Sequence, residues 1–220
     1  SAASDVYKRQ HIMIKNFNFL YLFVISITLL AWSNYSYSNE GEKVVSTCLG
    51  CHGVKSYGNI YPSYRVPKLA NQHKDYIVSA LNAYKSGLRK HPTMQAHAMN
   101  LNDKEIEIIA DYFSSIKSDS IENIQKINQE KGIKEIEEIA VCVACHGKDG
   151  ISIAPSFPNI AGQHEDYIYH SLKAYKNGTR NNAIMLGIAA GLSDDQMKKL
   201  SKYYSSFDGL EGISKGYKSE

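Results

Sequence analysis

The chain has 220 residues, 43% hydrophobic and 21% charged, with 25 Lys and Arg against 22 Asp and Glu. That length allows one large or two small domains, and that composition excludes overall disorder. The charge is too balanced for the concentrated basic surface that phosphate binding needs, so no nucleic acid is expected as a partner.

Residues 1–38 read as a secretory signal. Lys15 supplies a basic start, Phe19 to Trp32 an apolar run, and Ser36-Tyr37-Ser38 the small residues a signal peptidase inspects. Cleavage is expected after Ser38, because the apolar run is shorter than the roughly 20 residues a spanning helix needs. Retained, the segment would instead tie the protein peripherally to a membrane. Residues 1–12 precede Met13 and fit no part of a signal, so they read as foreign to the native chain. Residues 1–38 hold three basic side chains and one acidic, which leaves 22 Lys and Arg against 21 Asp and Glu in the exported chain.

The stretch TCLGCHGVKS contains Cys48, Cys51 and His52, and VCVACHGKDG repeats the pattern 94 residues later at Cys142, Cys145 and His146. All four cysteines of the chain are used in these two motifs. A thioredoxin-like redox pair would want a βαβ setting, which the sequence lacks. Structural zinc needs four ligands, and each motif supplies at most three. Covalent haem c uses the whole pentapeptide: two thiols one turn apart reach the two vinyl groups, and the adjacent histidine is aimed at the iron. Two covalently bound haem c groups are therefore expected, at Cys48, Cys51 and His52 and at Cys142, Cys145 and His146.

A second repeat follows each motif. VPKLANQHKDYIVSALNAYKSGLRKHPTM, residues 66–94, aligns without gaps on FPNIAGQHEDYIYHSLKAYKNGTRNNAIM, residues 157–185, at an offset of 91. The three-residue difference from the cysteine offset falls between Tyr57 and Tyr64, where a surface loop absorbs it. Two copies of one small domain are expected, at 39–116 and 134–220, joined by a polar linker at 117–133.

Each copy reads as helical. Tyr76, Ile77, Ala80, Leu81 and Tyr84 fall on one helix face, with Gly87 placed to end the helix; Tyr167, Ile168, Ser171, Leu172, Tyr175 and Gly178 reproduce this. Asn102 with Glu105, and Ser193 with Gln196, have capping-box spacing and open a further helix in each copy. Ile106, Ile109, Ala110 and Phe113 give the first copy's apolar stripe, and no alternating run indicates a strand. Domains this small are marginal on burial alone, so their centres need filling by something else.

For the far side of each iron, Met94 and Met185 occupy equivalent positions, seven residues after the helix-ending glycines. Met197 falls inside the last helix and reads as packing. In the first copy Met99, His91 and His97 rival Met94. His73 and His164 also repeat, just ahead of a helix start, and read as structural. The carbonyls of Pro67 and Pro158 are expected to accept the second ring nitrogen of each ligating histidine. Arg89 and Arg180 either neutralise haem propionates or lie solvated on the surface.

At these motifs, and through FPNIAGQHEDYIYHSLKAYKNG and NNAIMLGIAAGLSDDQM, the chain resembles the dihaem class I cytochromes of the cytochrome c4 type over about residues 41–207. The resemblance implies an all-α fold of two tandem class I cytochrome c domains related by pseudo-twofold symmetry. It also implies iron ligation by His52, Met94, His146 and Met185. The function it implies is a periplasmic respiratory-chain electron carrier without catalysis of its own. Its partners would be a membrane quinol-oxidising complex or other donor, and a haem-copper terminal oxidase as acceptor. A dihaem subunit of a flavocytochrome c sulfide dehydrogenase-like enzyme is the alternative, and the paired methionines argue against a dihaem peroxidase. The first copy departs from the pattern, reading AHAMN at 96–100 where the second has GIAAG.

Overall fold

The computed structural model describes residues 43–54, 56–58, 63–116 and 120–213; the expected signal and its cleavage point lie outside them. In the first half, helix α1 is described over residues 43–52. It is followed by α2 (Lys74–Lys85), α3 (Pro92–Ala98) and α4 (Asp103–Ser115). After α5 (Ile121–Glu130), a 3-10 turn (Glu137–Val141) runs into α6 (Val143–His146), α7 (Glu165–Lys176), α8 (Ala183–Ala190) and α9 (Asp194–Ser205). Among the described residues there is no strand, only three isolated bridges, so the fold is all-α.

Helices α3, α4, α5, α8 and α9 start where a side chain satisfies a free N–H group of the first turn. Asn102 and Ser193 form complete capping boxes with Glu105 and Gln196. The α2 and α7 helices stop ahead of Gly87 and Gly178, which both adopt positive φ.

Each half has its own core. In the first, α2 packs on α4 through Ile77, Leu81, Ile106, Ile109 and Phe113. In the second, α7 packs on α8 and α9 through Ile168, Leu172, Leu200 and Tyr204, with Met197 buried among them as packing.

The stretch expected as a polar linker contains a helix built into the second half. Ser120 caps α5 through the N–H of Asn123. Ile124 is 5% exposed and joins the second core. The Asn128 side chain donates to the Asp208 carbonyl at 2.9 Å and accepts the Asp208 N–H at 2.8 Å.

From Val44 onward the chain forms one compact unit, and its two halves are related by a twofold pattern. Arg89 faces Arg180, its own equivalent at the 91-residue offset, in an antiparallel bridge. Lys90 N–H donates to the Thr179 carbonyl at 2.8 Å, and Asn181 N–H donates to the Leu88 carbonyl at 2.7 Å. The offset maps one bond onto the other, and a residue meeting its own copy is what a twofold axis requires. Off the axis, Arg65 pairs with Asp166 at 3.0 Å, His73 Nε2 lies 3.0 Å from the Ser152 carbonyl, and Tyr64 stacks on His170 at 4.1 Å.

Candidate haem sites

Cys48, Cys51 and His52 lie on α1, and Cys142, Cys145 and His146 span the junction of the 3-10 turn with α6. Helical spacing puts both thiols of each motif one turn apart, with the histidine next along the chain. Gly147 turns the chain directly after His146 at φ +75°, and a Cβ there would clash with the Ile151 carbonyl oxygen. Only glycine fits that turn.

Both histidines are held as expected from the proline segments. His52 Nδ1 lies 2.9 Å from the Pro67 carbonyl oxygen, and His146 Nδ1 lies 2.9 Å from that of Pro158. A carbonyl only accepts, so Nδ1 carries the proton and Nε2 keeps its lone pair for a metal. Burial pushes the His52 pKa down to about 4 and that of His146 downward as well. Both rings are therefore neutral at pH 7, the form that ligates iron.

None of the four cysteines forms a disulfide. Burial also raises the pKa of Cys48 and of Cys142, the opposite of what an activated redox thiol needs. Among the described residues no group of three or more His, Cys, Asp or Glu is arranged to hold a metal ion.

The methionines are placed by matching caps. His91 begins α3 and accepts the Met94 N–H on its Nδ1 at 3.2 Å, while Asn182 begins α8 and accepts the Met185 N–H at 3.0 Å. Met94 packs against the first core and Met185 against the second, as Cys48 and Cys142 also do. Of the rivals in the first copy, Met99 is 63% exposed, His97 is exposed, and His91 has Nδ1 committed to the cap.

Sequence left Arg89 and Arg180 open between haem and solvent; both are buried, at 7% and 6% exposure, and neither forms an ion pair among the described residues. Arg89 donates to the Tyr167 hydroxyl at 2.6 Å, as does Arg180 at 3.0 Å. Arg89 Nε has no hydrogen-bond partner. Burial pushes the Tyr167 phenol up, yet the two guanidiniums outweigh it and bring the pKa down to about 8. Two buried cations and an orphaned donor form a site that wants anions. Haem carries propionate carboxylates, so these residues fit the group. Tyr76 and Tyr167, repeat equivalents read from sequence only as helix-face residues, line this site together with the arginines.

Two helical halves, each with Cys-x-x-Cys-His beside a proline carbonyl and a capped methionine, define a doubled class I cytochrome c fold. The cytochrome c family model matches residues 38–117 and 131–207, and the chain belongs to that family. It is 37% identical over 175 residues to cytochrome c-552 of Acidithiobacillus ferridurans, covering 74% of this chain and 75% of that protein. It is 29% identical to a thiosulfate dehydrogenase electron acceptor of Stutzerimonas stutzeri, covering 82% and 92%. The structure of reduced cytochrome c4 from Pseudomonas stutzeri superposes with a TM-score of 0.60 at 30% identity, covering 77% of this chain and 98% of that one. The protein is thus a dihaem electron-transfer cytochrome of the cytochrome c4 type, with two haem c groups held covalently at Cys48 and Cys51 and at Cys142 and Cys145.

Proposed function

We propose that the protein is a periplasmic carrier that takes electrons from a membrane quinol-oxidising complex and delivers them to a haem-copper terminal oxidase, without catalysis of its own. When bound, each haem supplies an iron that exchanges one electron between Fe(III) and Fe(II). His52 and His146 would each hold an iron through Nε2, with Met94 and Met185 as the second protein donors. Held between two protein donors, such an iron would supply one-electron exchange rather than oxygen or peroxide chemistry, at a potential raised by the soft thioether. Arg89 and Arg180 would neutralise haem propionates. The observation that carries this reading is that both halves present the same set: a neutral histidine fixed by a proline carbonyl, and a capped methionine packed against the same core as the cysteine motif.

The relative named a thiosulfate dehydrogenase electron acceptor supports a second donor, a periplasmic dehydrogenase that oxidises thiosulfate. The test is stopped-flow mixing of the purified dihaem protein with each donor and with oxidase-containing membranes. Reduction by the quinol-oxidising complex and reoxidation by the oxidase, both faster than turnover, is the expected result. Reduction by the sulfur dehydrogenase alone would replace the donor. Co-purification as a fixed subunit of a flavoprotein would overturn the free-carrier reading.

A further inference from the structure

Two buried glutamines cross between the halves, and each grips the peptide that holds the opposite half's histidine. Gln72 Oε1 accepts the Asn159 N–H at 2.9 Å and the His73 N–H at 2.9 Å, while Nε2 donates to the Asn159 carbonyl at 2.9 Å. Gln163, its equivalent at the 91-residue offset, accepts the Lys68 N–H at 3.0 Å and the His164 N–H at 3.0 Å, and donates to the Lys68 carbonyl at 3.0 Å. Both are 5% exposed. In each case only N–H groups face the oxygen and only a carbonyl faces the nitrogen, which fixes the amide orientation.

The Asn159 N–H and the Pro158 carbonyl are the two ends of one peptide group, and that carbonyl receives His146 Nδ1–H at 2.9 Å. The Lys68 N–H and the Pro67 carbonyl are likewise one peptide group, and that carbonyl receives His52 Nδ1–H at 2.9 Å. One hydrogen-bonded chain therefore runs from Gln72 in the first half to His146 in the second, and its image runs from Gln163 to His52.

We propose that Gln72 and Gln163 are positioning residues that tune the haem of the opposite half through this relay, an inference that rests on His52 and His146 being the iron ligands. Hydrogen bonds in series polarise one another by about 10–30% per bond, most effectively away from water. A glutamine oxygen on the N–H end makes the carbonyl at the other end a stronger acceptor. The histidine then gains imidazolate character and becomes a stronger donor to iron. That favours Fe(III) and lowers the potential of the haem across the interface. Glutamines serving only to join the halves have no reason to select, in both copies, the one peptide that carries the histidine.

The test uses the dihaem protein with Gln72→Met and, separately, Gln163→Met, followed through a redox titration by haem-methyl NMR signals that resolve the two haems. Gln72→Met should raise the potential of the haem at Cys142 and Cys145 by about threefold in its one-electron equilibrium constant, about 28 mV at 59 mV per tenfold. The first haem should stay unmoved, and Gln163→Met should do the reverse. In the reduced protein the Nδ1–H resonance of His146 should move upfield in Gln72→Met while that of His52 stays in place. A shift confined to the substituted half, an equal shift of both haems, or lost stability without a crossed shift would overturn the proposal and leave a structural clamp. If Gln72→Met does not mature, Gln72→Asn, which keeps the amide but cannot reach, is read in the same way. Missing iron-shifted ring signals for His52 or His146 in the unsubstituted protein would overturn the ligand assignment instead.

Discussion

Met94 and Met185 each stand three residues after the side chain that caps their helix, so the chemistry of the cap fixes the backbone of the proposed ligand. Met94→Ala should remove the methionine-to-iron charge-transfer band of one haem, about half of the near-infrared intensity, and Met99→Ala should leave the band whole. Magnetic circular dichroism checks both, and loss of intensity in Met99→Ala would reassign the first site. At this scale the cysteine motifs and the proline carbonyls were legible, because covalent attachment and the geometry of the ring nitrogens leave little choice of residue or spacing. The state of Arg89 and Arg180 was not legible. Whether an arginine faces water or another buried arginine depends on the pairing of two distant segments, and nothing local to either residue records it.

The amphipathic helices α2, α4, α7 and α9 follow from their apolar period, with capping boxes opening α4 and α9 and glycines ending α2 and α7, and the structure places them accordingly. Helix α5 escaped because its composition is polar overall. Its isoleucines, Ile121, Ile124 and Ile127, are nonetheless three apart, with Ser120 ahead of them as a cap. Tertiary packing decides its role, since Ile124 completes the second core and Asn128 fastens Asp208. Ile124→Ala should destabilise the protein by about 2–5 kcal/mol, the usual range for a buried isoleucine. Thermal melts read at each haem should show the second site loosening first. Ser193→Ala, which removes the cap of α9, should cost about 1 kcal/mol in the same assay.

At the scale of the molecule, the 91-residue offset announced a duplication but not an axis; the pairing of Arg89 with Arg180 shows how the copies meet. That interface should respond to acid. Burial and the nearby Arg180, His91 and Lys173 hold the His170 pKa down to about 4, and burial with Arg65 and Lys68 does the same for His164. Because the folded protein favours the neutral rings, their stabilising contribution is full above the ordinary histidine value of about 6.5 and is lost as pH falls through about 4. The melting temperature should therefore drop across that window, and His170→Gln should flatten the drop. The central claim is two haems per chain, each between a histidine and a methionine. The most direct measurement is near-infrared magnetic circular dichroism of the purified protein, normalised to haem content. Two haems per chain with full methionine-band intensity for both is the predicted result; one haem, or two haems with half the intensity, would contradict it.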